Sequence, residues 1–170
     1  MSPVFDFLFQ QYRYYATQEI LLETVGVFFG LVSVWYAKKN SIWVYPTGII
    51  STAIFVYLLL KWTLLGDMII NAYYFFMSFF GWYYWSIKKE EVIVNPITST
   101  QPKEYKTAIW LFIASLIFIF CIYQVFDKWK DWTAYVDTLT TAIFFVGMWL
   151  MARRKMENWI FWIVGDIISV

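Results

Sequence analysis

Asn71, Tyr74, Ser78, Gly81, Trp82 and Trp85 recur every three or four residues, which places amide, phenol and indole groups along one stripe of a helix. A second set, Asn158, Trp162, Gly165, Asp166 and Ser169, repeats the pattern near the C-terminus, and Thr47 and Ser51 lie one turn apart in an earlier segment. Such groups grip a molecule rather than make or break its bonds. Aromatic and amide groups converging on one face read Asn71, Tyr74 and Trp85 as ligand contacts. Ser78, Gly81 and Ser51 read better as helix packing, since small residues let backbones approach and a polar side chain adds about 1 kcal/mol or less across helices. Trp62, Trp129, Trp132, Tyr83 and Tyr84 fall near segment ends and suit interfacial belts.

Most catalytic chemistry is excluded by composition. With no histidine the chain has neither a Ser-His-Asp nor a Cys-His system, no HExxH zinc site and no histidine-ligated haem. Cys121 is the sole cysteine, so an intramolecular disulfide is ruled out, and neither redox chemistry nor a structural zinc is expected. No G-x-x-x-x-G-K-[ST] loop is present, and a net charge of +1 gives no basic face for nucleic acid. An enzyme would have to rely on Asp137 and Asp166, and the chain is expected to be no enzyme and to need no cofactor or metal. Glu23, Asp137 and Asp166 admit three readings: a proton relay, a counter-charge for a cationic substrate, or capping of neighbouring helices.

The elements that position these residues lie in lipid. The chain is 61% hydrophobic, 24% aromatic and 15% charged, with mean hydropathy +0.58, far from a soluble domain. Crossing about 30 Å of hydrocarbon takes about 20 residues. Spans are expected at 17–36, 42–60, 65–87, 107–126 and 133–151, with a sixth starting near Asn158 and reaching the last residue, Val170, before it can span. Residues 88–106, with Lys88-Lys-Glu-Glu91, Pro96 and Pro102, form a polar linker. Pro46 either starts the second helix or hinges it. Lys38, Lys39, Lys88, Lys89, Lys103, Lys106, Arg153, Arg154 and Lys155 gather on one side, against Arg13, Lys61, Lys128 and Lys130 on the other. The positive-inside rule then puts loops 37–41, 88–106 and 152–157 in the cytoplasm and the N-terminus outside.

The chain also repeats itself. Glu23, Val32, Trp35 and Lys39 are echoed by Asp137, Val146, Trp149 and Arg153 at an offset of 114 residues. Asn40, Ile42, Ile49, Ile50 and Ser51 are echoed by Asn158, Ile160, Ile167, Ile168 and Ser169 at 118, a slip of four that an extra turn in the basic connection would absorb. Both copies begin outside, so the repeats are parallel. Within one transmembrane domain, 1–170, this implies a first three-helix repeat over 17–87, a linker and linking helix over 88–127, and an incomplete second repeat over 132–170. The expected fold is all-α, integral to the membrane, with a 3-1-3 helix order whose seventh helix lies beyond this sequence. The substrate site is expected between the halves near the midplane.

Asn71-Ala-Tyr-Tyr74, followed by Gly81 and Trp85, and Glu157-Asn158-Trp159-Ile-Phe-Trp162 together give N-x-x-Y, G-x-x-x-W and W-x-x-W strings. In this order and spacing the chain resembles the PnuC family of bacterial vitamin transporters, from about Glu19 to Val170. The resemblance implies a full-length relative of the SWEET fold, usually trimeric, that carries nicotinamide riboside, or thiamine in the PnuT branch. It also implies facilitated diffusion across the inner membrane, with a cytoplasmic kinase trapping the product. It places substrate contacts at Asn71, Tyr74, Gly81, Trp85, Trp159 and Trp162, to which Asn158 and Asp166 are added, with Trp43, Thr47, Ser51, Glu23 and Asp137 as supporting positions. Both vitamins carry a cationic ring, and Trp or Tyr faces attract such rings by about 0.5–2 kcal/mol. A binding subunit dependent on a partner ATPase is the reading of another class.

Overall fold

The computed structural model describes residues 15–89, 92–93, 95–127, 129 and 131–169. Val170, expected inside a helix, lies outside them, as do Arg13, Lys128 and Lys130 of the orientation argument. Six helices are described: α1 (Thr17–Lys38), α2 (Val44–Lys61), α3 (Leu65–Ser86), α4 (Pro102–Val125), α5 (Thr133–Ala152) and α6 (Asn158–Ser169). Between α3 and α4, β1 (Lys88–Lys89) pairs antiparallel with β2 (Val92–Ile93). The protein is an all-α membrane bundle. α1, α2, α4 and α5 are each long and apolar enough to cross a bilayer. α3 is equally long, but Asp67, Asn71 and its tyrosines lower its hydropathy.

α1 packs on α2 and α2 on α3; α5 packs on α6 and α4, and α3 joins the two groups through α5. α5 is the central element, with most of its length buried, while α1 turns Leu21, Phe28 and Leu31 outward, as a lipid-facing helix does. Two long-range hydrogen bonds fasten α3 to α5. Tyr73 donates its hydroxyl to Phe145 O at 3.1 Å and stacks on the Phe145 ring at 4.0 Å; Trp85 Nε1 donates to Ala152 O at 3.1 Å.

Two sequence expectations change. α4 begins at Pro102, five residues before the expected 107, because Gln101 and Glu104 form a capping box and Pro102 occupies the first turn. Lys103, Glu104 and Lys106 disguised that start as linker. The expected slip in the repeat is also absent. α1 ends with Asn40 at φ 51°, its N–H bonded to Ala37 O and that of Ser41 to Tyr36 O, both at 3.0 Å. α5 ends with Arg154 at φ 58°, its N–H bonded to Met151 O and that of Lys155 to Leu150 O, both at 2.9 Å. These are the same left-handed cap in the same place. Four residues later each chain re-enters a helix, at Val44 and at Asn158. The offset therefore stays at 114 through the turn, and Asn158 is the counterpart of Val44, not of Asn40. The matching letters at 118 reflect shared composition. Pro46 sits in the first turn of α2, where its missing N–H leaves no helical bond unmade, so it starts the helix.

Candidate functional site

A cavity of about 400 Å³ lies between the two halves. α3 supplies Asn71 and Tyr74, and α6 supplies Trp159, Trp162 and Asp166. Helical spacing explains why each set converges: three residues separate Asn71 from Tyr74 and Trp159 from Trp162, and four separate Trp162 from Asp166. Tyr74 meets Trp162 edge to face with ring centroids 5.4 Å apart, and Trp162 stacks on Phe144 of α5 at 5.7 Å and 30°. The ring set is thus braced from behind before any ligand arrives.

α1 and α2 supply the opposite wall, and its chemistry differs. Ser33 donates its hydroxyl to Val44 O, Ser51 to Gly26 O and Thr52 to Gly48 O, all at 2.8 Å; Ser78 of α3 donates to Tyr74 O at 2.7 Å. Each hydroxyl has given its proton to the backbone and keeps lone pairs for the cavity. Asn71 Nδ2 likewise donates to Asp67 O at 2.9 Å, leaving its carbonyl and one N–H. With the Asp166 carboxylate of α6 the cavity as a whole is rich in acceptors, and no Lys or Arg is among the described residues that line it. Such a site suits a ligand with a flat ring, positive charge and several donors. It opposes an anion.

The difference between the walls comes from the repeat. A Cβ added to Gly30 would meet Ser51 Oγ at 3.1 Å, and one on Gly48 would meet Ser33 Oγ at 3.2 Å. At the offset of 114 these pairs become Phe144 with Gly165, where a Cβ would enter the Phe144 ring, and Gly147 with Trp162. The same helix crossings recur, but the first copy fills them with glycine and serine and the second with glycine and an aromatic ring.

Of the sequence-predicted residues, Asn71, Tyr74, Trp159, Trp162, Asp166 and Ser51 line this cavity. The others stand elsewhere. Trp85 is buried, with its indole donor bound to Ala152 O and its ring 5.1 Å from that of Tyr45; both contacts fasten helices. Gly81 faces Tyr45 so closely that a Cβ would overlap the ring. Thr47 donates to Trp43 O at 2.7 Å and Trp43 itself is exposed. Asn158 donates to Lys155 O and lines a smaller cavity with Trp85. Glu23 is half-buried on α1 and is not among the residues that line this cavity. Asp137 lines a separate space of about 520 Å³ with Asp67, built on the first turns of α3 and α5. Sequence reasoning missed Ser33, Thr52 and Phe55 on the first-repeat wall. The run Gly30, Ser33 and Ala37, at helical spacing, was the available signal.

The sequence matches the nicotinamide mononucleotide transporter family over residues 20–170. Among curated relatives, the nicotinamide riboside transporter PnuC of Escherichia coli (strain K12) is 21% identical, the alignment covering 88% of this chain and 72% of that one. The nicotinamide riboside transporter PnuC of Neisseria mucosa is 25% identical, covering 88% and 58%. The fold matches the crystal structure of the vitamin B3 transporter PnuC with a TM-score of 0.69 at 21% identity, over 90% of this chain. The chain spans 66% of that solved protein's length.

Proposed function

This chain belongs to the nicotinamide mononucleotide transporter family, and from that premise we propose that it carries nicotinamide riboside across the membrane by facilitated diffusion. The family is one of transporters, which makes the chain a membrane transporter and not an enzyme. The observation that carries the substrate reading is the charge of the cavity. Aromatic faces at Tyr74, Trp159 and Trp162 suit a pyridinium ring, Asp166 supplies the opposite charge, and the hydroxyl oxygens of Ser33 and Ser51 accept from ribose and carboxamide donors. Its volume is within the usual range of about 300–1,000 Å³ for small-ligand sites. The riboside is favoured over the mononucleotide, because a phosphate dianion would face acceptors and a carboxylate with no cation among the described residues on the wall. The same mismatch explains trapping. Once a cytoplasmic kinase has phosphorylated the product, the cavity no longer accepts it.

We place the protein in the bacterial cytoplasmic membrane, N-terminus outside and loops 37–41, 88–106 and 152–157 inside, as a homotrimer whose lipid-facing surface includes α1. Its three-helix repeats rock about the cavity to alternate its exposure. Thiamine also carries a cationic ring, so it is the second substrate to test. The purified protein in liposomes should exchange labelled nicotinamide riboside in counterflow without ATP or a second subunit, and should ignore the mononucleotide. Exchange of the mononucleotide at an equal rate would overturn the charge argument. A hundredfold preference for thiamine in parallel titrations would move the protein to the other branch.

A further inference from the structure

The turn from α5 to α6 carries three cations in a row, and the outer two are paired. Arg153 Nη2 lies 3.2 Å from Glu104 Oε1, and Lys155 Nζ lies 2.7 Å from Glu104 Oε2 and 2.9 Å from Thr98 Oγ1. Arg154, between them, is 8% exposed and has no carboxylate partner among the described residues. Its Nε makes no hydrogen bond. Its guanidinium carbon lies 4.3 Å from the centre of the Trp85 ring. That contact offsets only part of the cost of taking an ion out of water. Among the described residues nothing supplies the counter-charge.

The space beside it has the size and the donors for one. Arg154 lines a cavity of about 150 Å³ with Asn40, Lys155, Asn158 and Trp159, and no Asp or Glu is among the described residues on its wall. At about 30 Å³ per water the volume holds a few waters or one tetrahedral oxyanion. Its chemistry inverts that of the carrier cavity: the Arg154 guanidinium and amide N–H groups, beside a Lys155 ammonium already held by Glu104, replace hydroxyl oxygens and a carboxylate. Guanidinium forks favour phosphate oxygens. We propose that this cavity binds a phosphate-type oxyanion, either free phosphate or phosphate monoester, or the headgroup of an anionic lipid. Ala37, Met151 and Trp159 line both this cavity and the carrier cavity, so the anion sits against the basic-side wall of the transport path.

The test uses the full chain in phosphatidylcholine nanodiscs, titrated with inorganic phosphate and with ribose 5-phosphate at constant ionic strength. Tryptophan emission is the readout, because Trp85 and Trp159 flank the site. Saturable quenching is expected, weakened about tenfold or more in Arg154→Gln through loss of a charge-assisted hydrogen bond. Asn40→Asp is the second variant: Asn40 is exposed and already left-handed at φ 51°, which Asp tolerates, and its carboxylate would occupy the guanidinium from within. It should fold and lose the anion to the same degree, which keeps the test decisive if Arg154→Gln fails to fold. Discs containing phosphatidic acid separate the sources. Quenching by that lipid alone, lost in Asn40→Asp, assigns a headgroup; quenching by the soluble ions assigns free phosphate. No response to either, or an unaltered response in Asn40→Asp, overturns the site.

Discussion

Replacing Trp162 with leucine separates the two things its ring can do, attract a charge and fill space. Leucine keeps apolar bulk beside Gly147 and removes the π face from the cavity. The ring also pairs with Tyr74 at 5.4 Å and Phe144 at 5.7 Å. At about 0.5–1.5 kcal/mol each, losing both pairs should cost about 1–3 kcal/mol of stability, less than the whole of a domain's 5–15 kcal/mol. The variant should therefore stay folded with a lower melting temperature. A cation over an indole gains about 0.5–2 kcal/mol, so affinity for nicotinamide riboside should fall by about 2-fold to 30-fold beyond any packing loss. The packing loss is measured with the reduced riboside, which has nearly the same shape and no ring charge. Calorimetric titration of both ligands against both proteins gives a four-cornered cycle. A coupling of zero, with both ligands weakened alike, would refute the assignment of Trp162 as a cation-binding face.

Trp85→Phe should lose about 1–3 kcal/mol, because Ala152 O is left without its buried donor, while riboside affinity stays unchanged; a selective loss of affinity would return Trp85 to the binding site. Thr63, a β-branched residue at φ 60° in the turn after α2, makes Thr63→Gly a stabilising change of about 0.5–1 kcal/mol, visible as a higher melting temperature. Burial pushes the Glu157 carboxyl up, but hydrogen bonds from the Thr100 N–H at 2.9 Å and hydroxyl at 2.7 Å overcome it and hold the group below its ordinary value. A lowered folded value means this contribution is full above the unfolded pKa of about 4.3 and is lost as pH falls through the folded one. The protection factor of the Thr100 amide, its intrinsic exchange rate over the observed one at the same pH, should accordingly fall at acid pH, and Glu157→Gln should remove that dependence.

Much of the bundle was legible because lipid imposes length and apolarity on each span. The five expected spans coincide with α1–α5 to within two residues, apart from the start of α4. That start was hidden because charge count was weighed above cap chemistry, although Gln101, Pro102 and Glu104 spell a helix N-terminus. The cavity between the two halves was half legible. Asn71, Tyr74, Trp159, Trp162 and Asp166 stood out because polar and aromatic groups are conspicuous in an apolar segment. Ser33 and Thr52 did not, since a hydroxyl that bonds its own or a neighbouring backbone reads as packing until the helix opposite is seen. Trp85 stands the other way: conspicuous in the sequence, it lines a different cavity. It lies on the same helical stripe as Asn71 and Tyr74, but a stripe of about 15 residues runs roughly 20 Å along the axis, longer than any one ligand.

The glycine and ring exchange at the two recurring helix crossings gives the carrier a grain. If both copies had kept serine, or both had gained an aromatic, the pseudo-axis would relate like to like and a cargo could lie either way across it. With Ser33 and Ser51 on one bank and Trp162, backed by Phe144, on the other, the proposed cargo, with a flat cationic end and a hydroxylated end, would be sorted head from tail as it settles. The repeat supplies two matching oars, and the difference at four positions makes one of them a rudder.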